Sequence, residues 1–538
     1  MYAQNAPVLA SQGYQPPPPT RVRPKPFGDR YLLFLCLGLL GYAVLNRGFA
    51  YWGVAPLFIG EILLVAGLIA FLGSGRLGAV AREPVMVLYG LLLAWSVVRL
   101  VPYLGIYQLD APRDFMVVGY GLFAPIVAGL LLARPARLRE ILLRYQRYVG
   151  WMVVVFPVVY LAFKLLEPQL PRMPAGADVP IFEAKGGDMM VQLAGITAFV
   201  ILGMRRRTTL LLGSLAVVAG MVMVSNRGGM VAYLLAGAVV LALRPPQAQL
   251  GKLAWIFVML FALGLLVGPL IEVQSGTGTR AISAEQVVEN VRSIVGESDE
   301  WALGATTSWR LVCWERIVNY TFNGPHFWTG RGFGVNLAES DGIIADKSVR
   351  SPHNGHLTIL ARTGVPGFGL WILLQLTWLG YVGAAWLRAR RAQQWEWTAV
   401  LAFVIAYWTA AHANASFDIY FEGPMGAIWF WTFFGAGLAA ARLQQTDPDC
   451  LSDEAAHIGN GGRGAAQGVA GPQPVPEPGW RGPSLRNGGP DAGGARPPGD
   501  QVRTPQRPSE GDGAAGTGAP NLLEPNLIRR NPPPGRRS

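Results

Sequence analysis

Apolar runs about one membrane thickness long recur along most of this chain, separated by short polar segments. They fall at 31–47, 54–73, 86–102, 115–134, 148–166, 190–204, 208–224, 229–243, 252–271, 367–386, 397–413 and 424–443. A perpendicular helix needs roughly 20 apolar residues to cross a bilayer, so the pattern predicts an all-α, polytopic helical bundle of about twelve spans. No cleavage site of small residues follows the first run, which reads as a retained span. Residues 1–30 lack an apolar run and hold Pro16 to Pro19 and the basic stretch Arg21-Val22-Arg23-Pro24-Lys25, a flexible lead-in. Residues 444–538 are rich in Gly, Pro, Asn and Arg, with almost no aromatic residues. Such a segment cannot bury enough apolar surface to fold, and it is expected to be a disordered tail. Residues 31–443 form the membrane domain. No solenoid repeat or duplication of halves is visible.

Composition agrees. The chain is 51% hydrophobic and 14% charged, whereas soluble proteins carry about 25% charged residues. The formal charge of +12 does not indicate nucleic acid, because the basic residues alternate between loops. With the N-terminus inside, the inner loops together with the lead-in and Arg442 carry 20 Lys/Arg against four acids, and the rest of residues 1–443 carries 15 against 19. The positive-inside rule then puts both termini in the cytoplasm and two long loops, 167–189 and 272–366, outside. Cys36, Cys313 and Cys450 fall in a span, the outer loop and the tail, which offers no internal disulfide framework.

Candidate chemistry gathers on the outer side. Arg227, in Ser225-Asn226-Arg227-Gly228-Gly229, interrupts apolar sequence at a membrane boundary, where an unpaired cation is costly. It reads as an anion site, with the glycines admitting a ligand, or as an Arg snorkelling to the headgroups. Arg310 lies in Ser308-Trp309-Arg310-Leu311-Val312-Cys313-Trp314-Glu315-Arg316, where Ser308 or a nearby Thr starts a surface helix. Arg310 and Arg316 are then either ligand groups or solvated charges. Gly330-Arg331-Gly332-Phe333-Gly334 is a glycine turn, and Arg331 and Arg350 are further cation candidates. The longest polar loop ends in Ser351-Pro352-His353-Asn354-Gly355-His356, with Gly364-Val365-Pro366-Gly367 just beyond. Its plainer reading is that Asn354 caps a short helix and the Gly/Pro group breaks it. His353 and His356 would share a helix face, but no acidic partner completes a metal site. Glu61 reads as a carboxylate near mid-span with no nameable partner.

Three of these segments occur in the order Ser-x-Arg-Gly-Gly, Ser-Trp-Arg-x-x-x-Trp, then His-Asn followed by Gly-x-x-Gly. In that order they resemble the O-antigen ligase and polymerase superfamily, most clearly over about 200–440. The stretch His412-Ala413-Asn414-Ala415-Ser416-Phe417-Asp418 through Pro424 to Trp429-Phe430-Trp431 resembles the closing part of that domain. The resemblance implies a GT-C-like membrane glycosyltransferase of the bacterial inner membrane, with its active site facing the periplasm. The implied donor is a glycan on undecaprenyl pyrophosphate, and the acceptor is a sugar hydroxyl of a glycan or glycolipid. It also implies His353 as general base, Arg227 and Arg310 as pyrophosphate ligands, and Asn354, His356, Arg331 and Arg350 as further candidates. No cofactor or metal is expected, and the lipid bilayer is the expected surrounding. A polysaccharide polymerase uses the same motifs, so the acceptor decides between the two. A non-catalytic lipid or solute transporter would instead place charges at mid-membrane in broken helices.

Overall fold

The computed structural model describes residues 26–174, 179–205, 211, 213–216, 218–220, 226–246, 301–340 and 350–452. The lead-in 1–25, the predicted span 252–271 and the tail from 453 onward lie outside these residues, and 208–224 is described in part.

Each described apolar run forms a helix. In chain order these are α1 Phe27–Leu45, α2 Ile59–Leu72, α3 Pro84–Tyr107, α4 Asp110–Gly119, α5 Phe123–Ala133, α6 Ala136–Leu166, α7 Gly186–Ile201 and α8 Arg227–Leu243. After the long loop come α9 Trp301–Phe322, α10 Gly355–Arg391, α11 Trp395–Ala415 and α12 Pro424–Thr446. Among the described residues, strand structure amounts to one small antiparallel pair, Gly53–Val54 with Leu57–Phe58. Among the described residues, seven helical stretches are long and apolar enough to cross a membrane: α1, α3, Asp110–Ala133, Ala136–Gln169, α10, α11 and α12. Three shorter apolar helices, α2, α7 and α8, accompany them. This is an all-α polytopic membrane protein.

The outward faces confirm the solvent. On α6, Trp151, Val154, Val158 and Leu165 are exposed, a stripe at helical spacing that would be unfavourable in water and is favourable against acyl chains. The inward faces are aromatic: Tyr407 stacks on Phe433 at 4.0 Å between ring centres, and Trp378 stacks on Phe434 at 5.0 Å.

Contacts between helix termini sort the loops into two ends. At one end Asp29 pairs with Arg134 and Arg137, Glu83 lies 3.9 Å from Arg442, and Trp397 donates to the Pro448 carbonyl. At the other end Asn46 donates to Asp188, the Glu183 N–H donates to Leu45, and Arg350 reaches Asp110. All the candidate site residues belong to this second end. The first carries the loops counted above as basic.

Three local readings change. The polar segment 134–147 is not a loop, because α6 begins at Ala136 and continues into the apolar run. The surface helix already includes Trp301, so Ser308 lies within it and does not cap it. Glu61 is not at mid-span: it sits in the first turn of α2, where its carboxylate accepts from the Phe58 N–H and from the Tyr120 hydroxyl at 2.8 Å. The partner was invisible in sequence because Tyr120 comes from a distant helix.

Candidate active site at one end of the bundle

The site is built around the start of α10. Asn354 caps this helix, its side-chain oxygen accepting from the backbone N–H groups of His356 and Leu357 at 3.0 and 3.1 Å. The helix does not run straight into the membrane. Gly364 has φ 72° and ψ −175°, so 355–363 is a stub set off by a kink from the long apolar part. A side chain at Gly364 would collide with the Phe327 carbonyl, 2.6 Å from the Cβ position, so glycine is required by space and by φ. The Gly330–Gly334 turn closes on this kink: the Arg331 N–H donates to Ala361 at 2.7 Å, and the Gly332 N–H to Arg362 at 3.1 Å. Both expected features, the cap and the Gly/Pro break, are present.

His353 precedes the cap and is therefore off the helix. It takes a left-handed backbone, φ 53°, which costs energy for a non-glycine residue and marks an over-determined position. Three contacts fix it. The Trp314 indole donates to the Pro352 carbonyl at 2.9 Å, Trp309 meets the imidazole edge-on at 5.6 Å, and Nδ1 lies 3.7 Å from an Asp418 oxygen.

Asp418 is the residue that sequence reasoning missed. It is buried in the turn between α11 and α12, where one carboxylate oxygen faces His353 and accepts from the Ile419 N–H at 2.7 Å. The other oxygen pairs with the Lys185 ammonium at 2.9 Å. Burial is the largest influence and alone would raise this carboxyl, but the Lys185 charge and hydrogen bond, the His353 side chain and the Ile419 N–H together outweigh it and hold Asp418 well below the usual carboxylate range. The stretch containing Asp418 was visible as a family-like segment. Nothing in its spacing says that it folds back on His353.

The two arginines approach the same turn. Arg310 donates to the Phe417 carbonyl at 3.3 Å and lies 5.7 Å from the Trp309 ring centre. Arg227 occupies the first turn of α8, where Asn226 accepts from the Gly229 N–H. Gly228 abuts Phe417, with its Cβ position 2.8 Å from the Phe417 Cβ, and Gly229 abuts Met190. These glycines therefore serve helix packing, rather than the ligand approach their spacing suggested. Together Arg310, His353, Asp418, Lys185 and the Arg227 turn surround Phe417–Asp418.

The remaining candidates lie elsewhere. His356 points into the core: Trp371 donates to its Nδ1 at 3.2 Å, its Nε2 is 3.3 Å from the His412 carbonyl, and its ring stacks on His412. With both nitrogens engaged and His353 off the helix, the two histidines do not share a face. Arg350 is bound into an ion-pair cluster with Asp110 and Asp114, at 3.3 and 3.4 Å. The same Asp114 holds buried Arg362 at 2.9 Å. Arg331 lies over the Tyr320 ring at 4.5 Å. These arginines brace the loop on the kink. Glu422, near the site, accepts from the Thr358 hydroxyl at 2.8 Å, and burial raises its carboxyl. A cavity of about 470 Å³ is lined by Arg139, Gln146, Gly203, Trp395 and Glu396 at the opposite end, and no candidate site residue lines it.

A search of curated proteins finds no match to the chain. A family model described as O-antigen ligase matches residues 212–372, a stretch that contains Arg227, Arg310 and His353. Residues 212–372 of this all-α membrane bundle are thus similar to the O-antigen ligase family.

Proposed function

We propose that this protein transfers a glycan from undecaprenyl pyrophosphate to a sugar hydroxyl at the periplasmic face of the inner membrane, without a metal and with inversion. The observation that carries this reading is the grouping of His353, Asp418 and Arg310 around one turn at one end of the bundle. A base, its carboxylate partner and a fixed cation are what such a transfer requires.

The hydroxyl oxygen attacks the anomeric carbon, the bond from that carbon to the pyrophosphate oxygen breaks, and the diphosphate leaves with the electron pair. Its charge needs stabilisation more than protonation. Arg310 and Arg227 supply permanent charge and forked donors for it. A sugar hydroxyl is a weak nucleophile, so the proton passes to a base. Nδ1 of His353 faces Asp418, which leaves Nε2 for the hydroxyl proton. The carboxylate is the counterpart that stabilises the imidazolium as it forms. Direct displacement inverts the anomeric centre.

The test compares surface glycans of a deletion strain with wild type. Loss of attachment with accumulated lipid-linked polymer identifies a ligase. Single repeat units in place of polymer identify a polymerase of the same superfamily. Unchanged glycans in both pools would overturn the reading.

A further inference from the structure

Resting on that reading, we propose that Lys185 is a positioning residue: by pairing with Asp418 it lets this carboxylate orient His353 without fixing a proton on the imidazole.

The geometry is a relay of side chains from the first helix to the stub. Asn46, just after α1, donates to one oxygen of Asp188 at 3.1 Å. The other Asp188 oxygen lies 3.8 Å from the Lys185 ammonium, and Lys185 reaches Asp418 at 2.9 Å. Asp418 faces His353 with its remaining oxygen at 3.7 Å. That distance is too long for a hydrogen bond but short enough for a strong field. Active-site hydrogen bonds of this kind often tighten only when substrate arrives.

A base beside a buried carboxylate faces a conflict. The carboxylate aligns the ring, but an uncompensated negative charge within a few ångströms also stabilises imidazolium, and a protonated imidazole accepts nothing. Lys185 resolves this by countering the charge of Asp418 while leaving its inner oxygen in place. The other charges near His353 are Arg310 from α9, which donates to the Phe417 carbonyl, and Glu422 from the same turn as Asp418, whose carboxyl burial favours the neutral form. Behind Lys185 stand Asp188 and Glu183. None of these lies between Asp418 and the bulk of the negative cluster as Lys185 does.

The test reads the ionisation of His353 directly, apart from any transfer assay. Purified full-length protein is treated with diethyl pyrocarbonate across a pH series, and carbethoxylation of His353 is followed by peptide mass spectrometry. His353 is partly exposed, its side chain 30% accessible, so the reagent can reach it. The midpoint should rise in Lys185→Met. Lys185→Arg should return it to the wild-type value. Asp188→Asn, which keeps an acceptor for Asn46 but removes a negative charge, should lower it. A role in folding alone would reduce yield and leave the midpoint where it was. If Lys185→Met is not produced as folded protein, the direction of the Asp188→Asn shift decides. Unmoved midpoints overturn the proposal. A His353→Ala protein that still transfers glycan would sink the transfer reading instead, without touching this measurement.

Discussion

Nδ1 of His353 stands 3.7 Å from the Asp418 carboxylate, although one residue immediately precedes α10 and the other lies in the turn between α11 and α12. The contact joins an imidazole to a carboxylate that its surroundings keep ionised. That is the arrangement in which an imidazole serves as a base.

His353→Ala should therefore lower transfer by about 10²–10⁴, the range for a lost general base, while binding of the lipid-linked donor is retained. Reconstituted transfer and donor binding, measured side by side, check this. Near-normal turnover would leave His353 as nothing more than the residue before a helix cap.

Arg227→Lys and Arg310→Lys should fail differently. Lysine keeps the charge but loses the forked donors that match a diphosphate, so donor affinity should fall along with the rate. EDTA should change neither. A strict requirement for a divalent cation would remove the metal-free mechanism.

Asp418 also sets an acid limit on stability. Its folded carboxyl titrates below the unfolded value of about 3.9, so it contributes stability above that pH and loses it as pH falls through the folded value. Melting temperatures of wild type and Asp418→Asn should differ most near neutral pH, and the difference should shrink progressively as the pH falls below about 4. A constant difference at every pH would mean that the carboxylate contributes only shape.

The Asp114 cluster should be structural. Asp114 holds buried Arg362 at 2.9 Å, Arg350 at 3.4 Å and the Gly334 N–H at 3.1 Å. Removing one partner of such a buried pair costs about 3–5 kcal/mol. Asp114→Ala should thus melt well below wild type yet bind donor at low temperature. Unchanged melting with lost donor binding would move this cluster into the site.

Helix identity was legible in the sequence because apolar length alone specifies it, and so were the Asn354 cap and the Gly364 break, which are local. Which groups meet was not legible. Asp418, Lys185 and Tyr120 find their partners across distant helices, and no periodicity encodes that. Arg350 and Arg227 looked alike as loop cations. Only packing shows one tied to Asp110 and Asp114, and the other set beside the Phe417 turn.

Orientation follows from the charge count and needs a direct probe. Cys313 and Cys450 are both buried, so neither native thiol is a suitable reporter. In a background with all three cysteines replaced by alanine, exposed Asn319→Cys and Ala392→Cys mark the two ends. An impermeant maleimide should label Asn319→Cys once the outer membrane is permeable, and Ala392→Cys only after the inner membrane is broken. The reverse order would put His353 in the cytoplasm.

The kink at Gly364 has a consequence for how the enzyme tolerates its lipid surroundings. A straight helix would transmit any change of bilayer thickness along its axis, since a span that is too long for the hydrocarbon tilts. Here the tilting segment ends at Gly364, and the stub bearing His353 is held from the side by the Gly330 turn and Trp314. The bend uncouples the axis of the long apolar segment from the stub, so a tilt that relieves hydrophobic mismatch is not passed directly to the turn that holds the imidazole.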